Sequence, residues 1–233
     1  MAIKNGPYRL GLVDAPWTYD NRQQNDPARG GITYPVLTMK ELYDIPLGNA
    51  FDKDSILIVW VTHPKLMDTY YSSKERVGGV KNGAEYNPLS IIRQWGFRPI
   101  TTLFVWVKLN RNARKNLPFD IDDKDWPWYH EDSFYSGLGR YTNSNTEMAI
   151  VARKGKGLPR IEKNVKQLIF APIGDHSAKP KEQYNRLEKL YGNHIPKVEL
   201  FARLQNPPPS DWDAVGLDWE PSEDIRDWVK KYE

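Results

Sequence analysis

The sequence predicts an α/β fold, with a mostly parallel sheet covered by helices on both faces. Short apolar runs rich in β-branched residues alternate along the chain with amphipathic segments, which is the pattern of parallel strands joined by helices. The chain has 233 residues, of which 39% are hydrophobic, so it can bury one substantial core. We therefore expect a single domain over residues 1–233, with polar insertions at about 72–87 and 110–136.

Six apolar runs predict the strands of this sheet. The run SILIVWV has no polar residue after its first and is typical of a strand buried on both faces. In chain order, the predicted strands are Tyr8–Val13, Ser55–Val61, Thr101–Val107, Glu147–Arg153, Gln167–Phe170 and Lys197–Arg203.

Amphipathic segments between these runs predict the helices. Thr38 and Glu41 form a capping-box pattern, so a short helix should begin after Thr38 and end before Pro46. A last helix at about 222–232 should have Ser222 as its cap. Similar signals predict helices from Thr62 to about Tyr71, from Asn87 to about Trp95, and from Pro180 to Tyr191.

Composition excludes several kinds of protein and site. The chain has no cysteine and only four scattered histidines, so we expect no disulfide, no cysteine nucleophile and no bound metal. The longest apolar runs are too short to span a bilayer, and no secretory pattern is present, so we expect a cytoplasmic protein that does not bind membranes. The net charge of +3 neither requires nor forbids a nucleic-acid partner.

The most informative segment is the turn Asp14-Ala15-Pro16-Trp17 at the end of the first predicted strand. Pro16 fixes its own backbone torsion and cannot continue a strand, so the chain must turn there. The ends of strands are where open α/β sheets bind ligands. A carboxylate beside an aromatic ring suits a flat base with an amino group, but the same pattern is typical of an Asp that caps a turn and a Trp that packs in the core. These four residues alone leave both interpretations open.

Three later segments combine polar side chains with the ends of predicted elements: GLGRYTNSNTE (137–147), DHSAKP (175–180) and ELFAR (199–203). Lys179 stands at a helix start, where free backbone N–H groups favour anions. Each segment alone also has an ordinary explanation: Lys179 as a solvated charge, Arg203 as an ion-pair partner and Asn206 as a turn former.

Taken in order, the DAPW turn and these three segments resemble the MT-A70 family of adenine N6-methyltransferases, and the resemblance extends from Tyr8 to about Trp219. It implies a Rossmann-like class I methyltransferase fold with a permuted order, in which the catalytic motif precedes the cofactor strand in the chain. It also implies S-adenosylmethionine as the cofactor. Ala15 replaces the family's more common proline, which keeps the backbone acceptor, so we expect activity to survive.

The resemblance implies a role for each matching residue. Asp14 and the carbonyl group of Ala15 would accept the N–H bonds of the adenine amine and direct its lone pair toward the methyl group, while Trp17 would stack on the base. Lys179 would meet the methionyl carboxylate of the cofactor. The full set of implied cofactor contacts is Asp14, Lys179, Arg203, Gln205, Asn206 and Asp218.

Nucleic acid is the implied partner, and DNA is favoured over RNA because the compact chain resembles bacterial and phage members. Basic and aromatic side chains of the insertions are candidate contacts to phosphates and bases, although a solvated loop explains them equally well. Two alternatives stay open: an RNA adenine methyltransferase, and a non-catalytic partner subunit of the same fold. We expect a monomer or a homodimer. The candidate substrate contacts are Trp17, Tyr34, Arg111, Arg114, Lys115, Arg140, Asn143, Asn145 and Glu147.

Overall fold

The computed structural model describes residues 7–18, 35–71, 76–77, 80–81, 85–111, 133–137, 141–174 and 178–233. In chain order, its strands are β1 (Tyr8–Val13), β2 (Phe51–Val61), β3 (Tyr70–Tyr71), β4 (Arg76–Val77), β5 (Val80–Lys81), β6 (Glu85–Tyr86), β7 (Arg98–Leu109), β8 (Thr146–Lys154), β9 (Leu168–Pro172), β10 (Lys197–Leu200) and β11 (Asp213–Val215). Its helices are α1 (Met39–Asp44), α2 (His63–Met67), α3 (Pro88–Gln94), α4 (Glu182–Tyr191) and α5 (Ile225–Trp228), with 3₁₀ turns at Leu47–Ala50 and Val229–Tyr232.

Seven strands form one sheet in the order β11-β10-β1-β2-β8-β7-β9. β8 runs antiparallel to its two neighbours, and the other neighbouring strands pair in parallel. From β1 the chain proceeds to β2 on one side, whereas from β10 it proceeds to β11 on the other side. Two adjacent strands whose connections leave in opposite directions open a crevice at their carboxyl ends. The sheet therefore has its topological switch point between β1 and β10.

Helices cover both faces of this sheet. Val59 of β2 belongs to an apolar cluster that includes side chains of α1, α3 and α5. Its neighbour Trp60 points to the opposite face and belongs to a second cluster that includes side chains of α4. The mostly parallel α/β sheet predicted from the sequence is confirmed. The strand β10, which begins the ELFAR segment, lies beside β1 although it is the last but one strand of the described chain.

The predicted start of α1 is confirmed. The hydroxyl oxygen of Thr38 accepts a hydrogen bond from the Glu41 N–H, and the Glu41 carboxylate accepts one from the Thr38 N–H, which completes the capping box. The predicted helix after Asn87 is confirmed as α3, with Asn87 as its cap and Gly96 in the left-handed region (φ 84°) just beyond its end.

Several predicted boundaries are wrong: β2 begins at Phe51 rather than Ser55, and β7 spans Arg98–Leu109 rather than Thr101–Val107. The helix after Thr62 ends at Met67 rather than Tyr71, because the chain pairs Tyr70 with Tyr86 in a two-stranded ribbon. The strand that begins at Lys197 ends at Leu200, since the next residue leaves the extended conformation.

The last helix begins at Ile225 instead of Ser222. Its cap is Asp224, whose carboxylate accepts a hydrogen bond from the Arg226 N–H, whereas the Ser222 hydroxyl donates to the Leu217 carbonyl. None of the helices in the described ranges is long and apolar enough to cross a membrane.

Candidate active site

A pocket lies at the switch point between β1 and β10. Its walls come from the ends of β1, β2 and β10, from the segment before α4 and from α4 itself. The lining residues are Leu12, Asp14, Trp60, Ala178, Lys179, Gln183, Glu199, Phe201, Arg203, Gln205 and Asn206. The pocket thus contains five of the six residues predicted to contact the cofactor, although they are up to 192 positions apart in the sequence.

Four charged side chains of alternating sign form a chain that begins at this pocket. The Nζ atom of Lys179 lies 2.8 Å from Asp14 Oδ2 and 3.2 Å from Glu147 Oε1. The other oxygen of Glu147 lies 3.0 Å from Lys108 Nζ. Glu147 reaches this edge because β8 is antiparallel, so its start lies beside the carboxyl ends of its neighbours. The side chains of Lys179 and Glu147 are 5% and 6% exposed, whereas that of Asp14 is 32% exposed and thus accessible to a ligand.

Burial and pairing shift the pKa values of this chain of charges in different directions. Burial raises the pKa of Asp14, the charge of Glu147 adds to the rise, and Lys179 opposes it. Burial alone would also raise the pKa of Glu147, but the ammonium groups of Lys179 and Lys108 hold it below its ordinary value. Burial disfavours the charged form of Lys179, yet Asp14 and Glu147 raise its pKa well above the ordinary value. Lys179 is therefore a permanent buried cation.

The turn after β1 is held by hydrogen bonds from its own backbone and from the core. The carbonyl oxygen of Ala15 accepts from the Trp17 N–H at 2.8 Å, and that of Pro16 accepts from the Leu37 N–H at 2.9 Å. The indole N–H of Trp17 donates to the Trp60 carbonyl at 3.2 Å, and Trp17 is only 5% exposed. The Trp17 ring therefore packs in the core beneath the turn, and Asp14 projects from it.

A second carboxylate faces the pocket from β10. Glu199 is buried, and its Oε2 atom accepts a hydrogen bond of 2.6 Å from the Tyr184 hydroxyl group. Burial raises the pKa of Glu199 to about 7; the Tyr184 hydrogen bond opposes this rise and the charge of Asp14 adds to it. Beside it, the Trp60 indole N–H donates to Gln183 Oε1 at 2.6 Å, which fixes both side chains in the pocket wall.

The chain changes direction at the end of β10 so that it borders the pocket. Phe201 has φ of 60°, in the left-handed region that costs a non-glycine residue about 1–2 kcal/mol. The segment that follows is held at two points: Arg203 pairs with Asp218 in an isolated bridge, with Nε 3.6 Å from Oδ2, and the Asn206 side-chain amide donates to the Lys179 carbonyl at 3.3 Å. The geometry thus joins Lys179 to the segment after β10.

The comparisons with known proteins agree with this arrangement. The MT-A70 family model matches residues 80–218, which is more than half of the chain. The chain belongs to the MT-A70 family. A Type II methyltransferase, M.MunI from Mycoplasma sp, is 27% identical over 228 residues, covering 91% of this chain and 77% of that protein. The predicted family is confirmed, and methyl transfer to nucleic acid is the reaction class that these similarities support. The family match begins at residue 80 and therefore does not include Asp14. The evidence that the Asp14 turn belongs to the site is the position of β1 beside β10 in the sheet.

The remaining residues predicted from the MT-A70 resemblance lie in different surroundings. Glu147, predicted to contact substrate, lies in the buried chain of charges, while Asn143 and Asn145 are exposed on the segment leading to it. Arg111 is exposed, and its guanidinium group donates to the Gly174 carbonyl at 3.2 Å. Four further predicted contacts fall outside the described residues: Tyr34, Arg114, Lys115 and Arg140.

Several residues of the site had no predicted role, among them Lys108, Gln183 and Glu199. Glu199 carries a sequence signal, because a carboxylate within the apolar strand VELF must be buried and hence needs a partner. Lys108, at the end of an apolar run, is an ordinary strand-end residue until Glu147 is placed beside it. Gln183 gives no signal, since a polar residue in the first turn of a helix is normally solvated.

Proposed function

We propose that the chain transfers a methyl group from S-adenosylmethionine to the N6 amine of adenine in DNA. The observation that carries this proposal is the position of Asp14: a partly exposed carboxylate, next to a buried permanent cation, at the switch point of a sheet from the MT-A70 family. The pocket therefore offers an acceptor for an amine beside a site for a carboxylate.

The donor set of the pocket fits the cofactor. Lys179 can bind the methionyl carboxylate, and the carboxylates of Asp14 and Glu199 suit the ammonium group. The polar groups available to the ribose hydroxyls are Arg203, Gln205 and Asn206 of the segment after β10, together with Asp218, which pairs with Arg203. When bound, S-adenosylmethionine supplies a methyl group activated by a positively charged sulfur.

Asp14 and Ala15 would orient the adenine amine. The Ala15 carbonyl already accepts one hydrogen bond, from Trp17, but a carbonyl oxygen has two lone pairs and can accept a second. With one N–H bound to Asp14 and the other to Ala15, the nitrogen lone pair is drawn out of conjugation with the ring and directed toward the methyl group. The negative charge of Asp14 also stabilises the positive charge that develops on nitrogen during transfer. Because its ring is buried, Trp17 contributes chiefly by fixing the turn.

Lys179 would release Asp14 when a carboxylate ligand arrives. In the structure, the ammonium group of Lys179 binds both Asp14 and Glu147. A third carboxylate at Lys179 competes with the more exposed partner, Asp14, while Glu147 and Lys108 hold Lys179 in place from the buried side. Asp14 is then free to accept from the base.

DNA is the proposed substrate because of two similarities. The chain resembles compact bacterial and phage members of the family, and the relative M.MunI is a Type II methyltransferase. The test is to incubate the purified chain with S-adenosylmethionine and matched DNA and RNA oligonucleotides, single- and double-stranded, and to identify the methylated nucleoside by mass spectrometry. We expect N6-methyladenine in DNA. Methylation of RNA alone would overturn the DNA assignment, and no transfer to any adenine by folded, cofactor-binding protein would overturn the enzyme itself.

The role of Asp14 is tested by Asp14→Ala. We expect transfer to fall by about 100-fold or more, which is the usual effect of removing one group that stabilises developing charge. Asp68→Ala is the matched control, because Asp68 also pairs with a buried lysine, Lys65, at 2.8 Å but lies outside the pocket. Both variants should unfold at similar urea concentrations. Equal activity of the two variants would remove Asp14 from the mechanism.

A further inference from the structure

A strongly basic loop joins β8 to β9 at the opposite end of β8 from Glu147. This basic loop, residues 155–167, contains four basic residues and one acidic residue, so its net charge equals the +3 of the whole chain. All five charged side chains belong to exposed residues: Lys156, Arg160, Glu162, Lys163 and Lys166.

The basic loop is pinned to the domain along its length. The apolar side chains of Leu158 and Val165 pack against the second core cluster. Three hydrogen bonds join its backbone to β2 and α4: Lys156 N–H donates to Asp54 Oδ1 (2.7 Å), Ile161 N–H to the Leu190 carbonyl (2.7 Å), and Arg186 Nη1 to the Lys166 carbonyl (2.6 Å). Its charges are therefore held on a defined surface, and a ligand would not have to order the loop first.

Two arginines of the sheet extend this surface. Arg98 at the start of β7 lies directly opposite Arg153 of β8. Arg153 lies against the loop, since a methyl group added at Gly157 would come 3.3 Å from the Cβ atom of Arg153. Like charges directly opposite each other in a sheet are destabilising. In the described part of the chain neither arginine forms an ion pair, and the same holds for Lys156, Arg160 and Lys163. The surface thus has several cations without counter-ions.

The basic loop is remote from the chemistry. Along β8, Arg153 is six residues beyond Glu147 of the candidate active site. At about 3.3 Å per residue, the two ends of the strand are about 20 Å apart. A ligand confined to the pocket cannot reach the loop, but a long polyanion that extends beyond the pocket can.

We propose that the basic loop, together with Arg98 and Arg153, binds phosphates of DNA that flanks the methylated site. The proposal rests on the proposed function only in taking DNA as the polyanion. It predicts that the loop contributes to affinity for long DNA and leaves the chemistry on short DNA unchanged.

The test compares two triple variants that lose the same charge. Lys156→Ala/Arg160→Ala/Lys163→Ala removes three cations of the loop, whereas Lys40→Ala/Lys230→Ala/Lys231→Ala removes three exposed lysines elsewhere. Binding to duplexes of about 10 and about 40 base pairs is measured as a function of salt, since at about 3.4 Å per base pair only the longer one extends well past 20 Å from a central target.

We expect the loop variant to bind the long duplex with a slope of log K against log salt that is smaller by about two to three, because each lost phosphate contact removes about 0.9. Its affinity and turnover on the short duplex should match wild type, and the control variant should match on both. Equal slopes for the two triple variants on the long duplex would overturn the proposal. Binding is measured without methyl transfer, so a chain that binds long DNA through the loop but transfers no methyl group would refute the proposed function alone.

Discussion

Glu199→Gln should stabilise the protein above pH 7. Glu199 is a buried carboxyl group with one side-chain hydrogen-bond donor, the Tyr184 hydroxyl, at 2.6 Å. Burial raises the pKa of this group to about 7, so its ionised form is disfavoured in the folded protein. Gln has nearly the same shape, and its carbonyl oxygen can accept the same bond from Tyr184, but it cannot ionise.

The magnitude follows from the two pKa values of Glu199. In the unfolded chain the carboxyl group loses its proton near its ordinary pKa of 4.5, and in the folded protein near a pKa of about 7. Between these values the unfolded state binds fewer protons than the folded state, so stability falls as the pH rises. The loss is about 3 kcal/mol, at about 1.4 kcal/mol per pH unit. It is fully present above pH 7 and absent below pH 4.5.

The assay is urea and thermal unfolding of wild type and Glu199→Gln at pH 5 and pH 8. The advantage of the variant should grow by up to about 3 kcal/mol between the two pH values, or about 6–12 °C in Tm for a chain of this size. Glu162→Gln, an exposed carboxylate changed in the same way, is the control and should show no such growth. A stability difference that is the same at pH 5 and pH 8 would refute the reasoning.

Two further predictions concern Lys179 and Trp17. Lys179→Met removes the cation that opposes the rise in the pKa of Asp14, so the loss of methyl transfer on acidification should begin at higher pH. The affinity for the cofactor should also fall about 30-fold or more. Lys65→Met is the control, and a pH profile and a binding titration that are the same for both variants would contradict this role. Trp17→Phe removes the indole donor to the buried Trp60 carbonyl and should cost about 1–2 kcal/mol in urea unfolding, whereas an unchanged midpoint would show that the bond does not hold the turn.

Local patterns predicted much of the fold because they reflect local physical constraints. The capping box at Thr38 and the apolar run Ser55–Val61 specify a helix start and a buried strand whatever the rest of the chain does. The boundaries that were wrong depend on features that the local pattern does not show. Nothing near Tyr70 shows that it will pair with Tyr86, and the left-handed conformation that ends β10 falls on Phe201, a residue type that rarely adopts it.

The candidate site was predictable only where one residue carries the chemistry. Asp14 and Lys179 could be singled out only because the DAPW turn and the DHSAKP segment, taken in order with the other segments, resemble the MT-A70 family. The link between them could not, because it depends on Glu147, which is brought to the same edge only by the antiparallel direction of β8. A sequence pattern does not reveal the direction of a strand that is buried on both faces, since its composition is the same either way.

The turn after β1 had two interpretations, and the geometry unites them. Trp17 packs in the core and donates to the Trp60 carbonyl, as a structural residue would, while Asp14 stays partly exposed beside Lys179, as a binding residue would. A buried anchor three residues away restricts where Asp14 can point, so its carboxylate needs little reorganisation to accept from a ligand. The structural role of Trp17 therefore supports the proposed chemistry of Asp14, because an acceptor must be held in place before it can orient an amine.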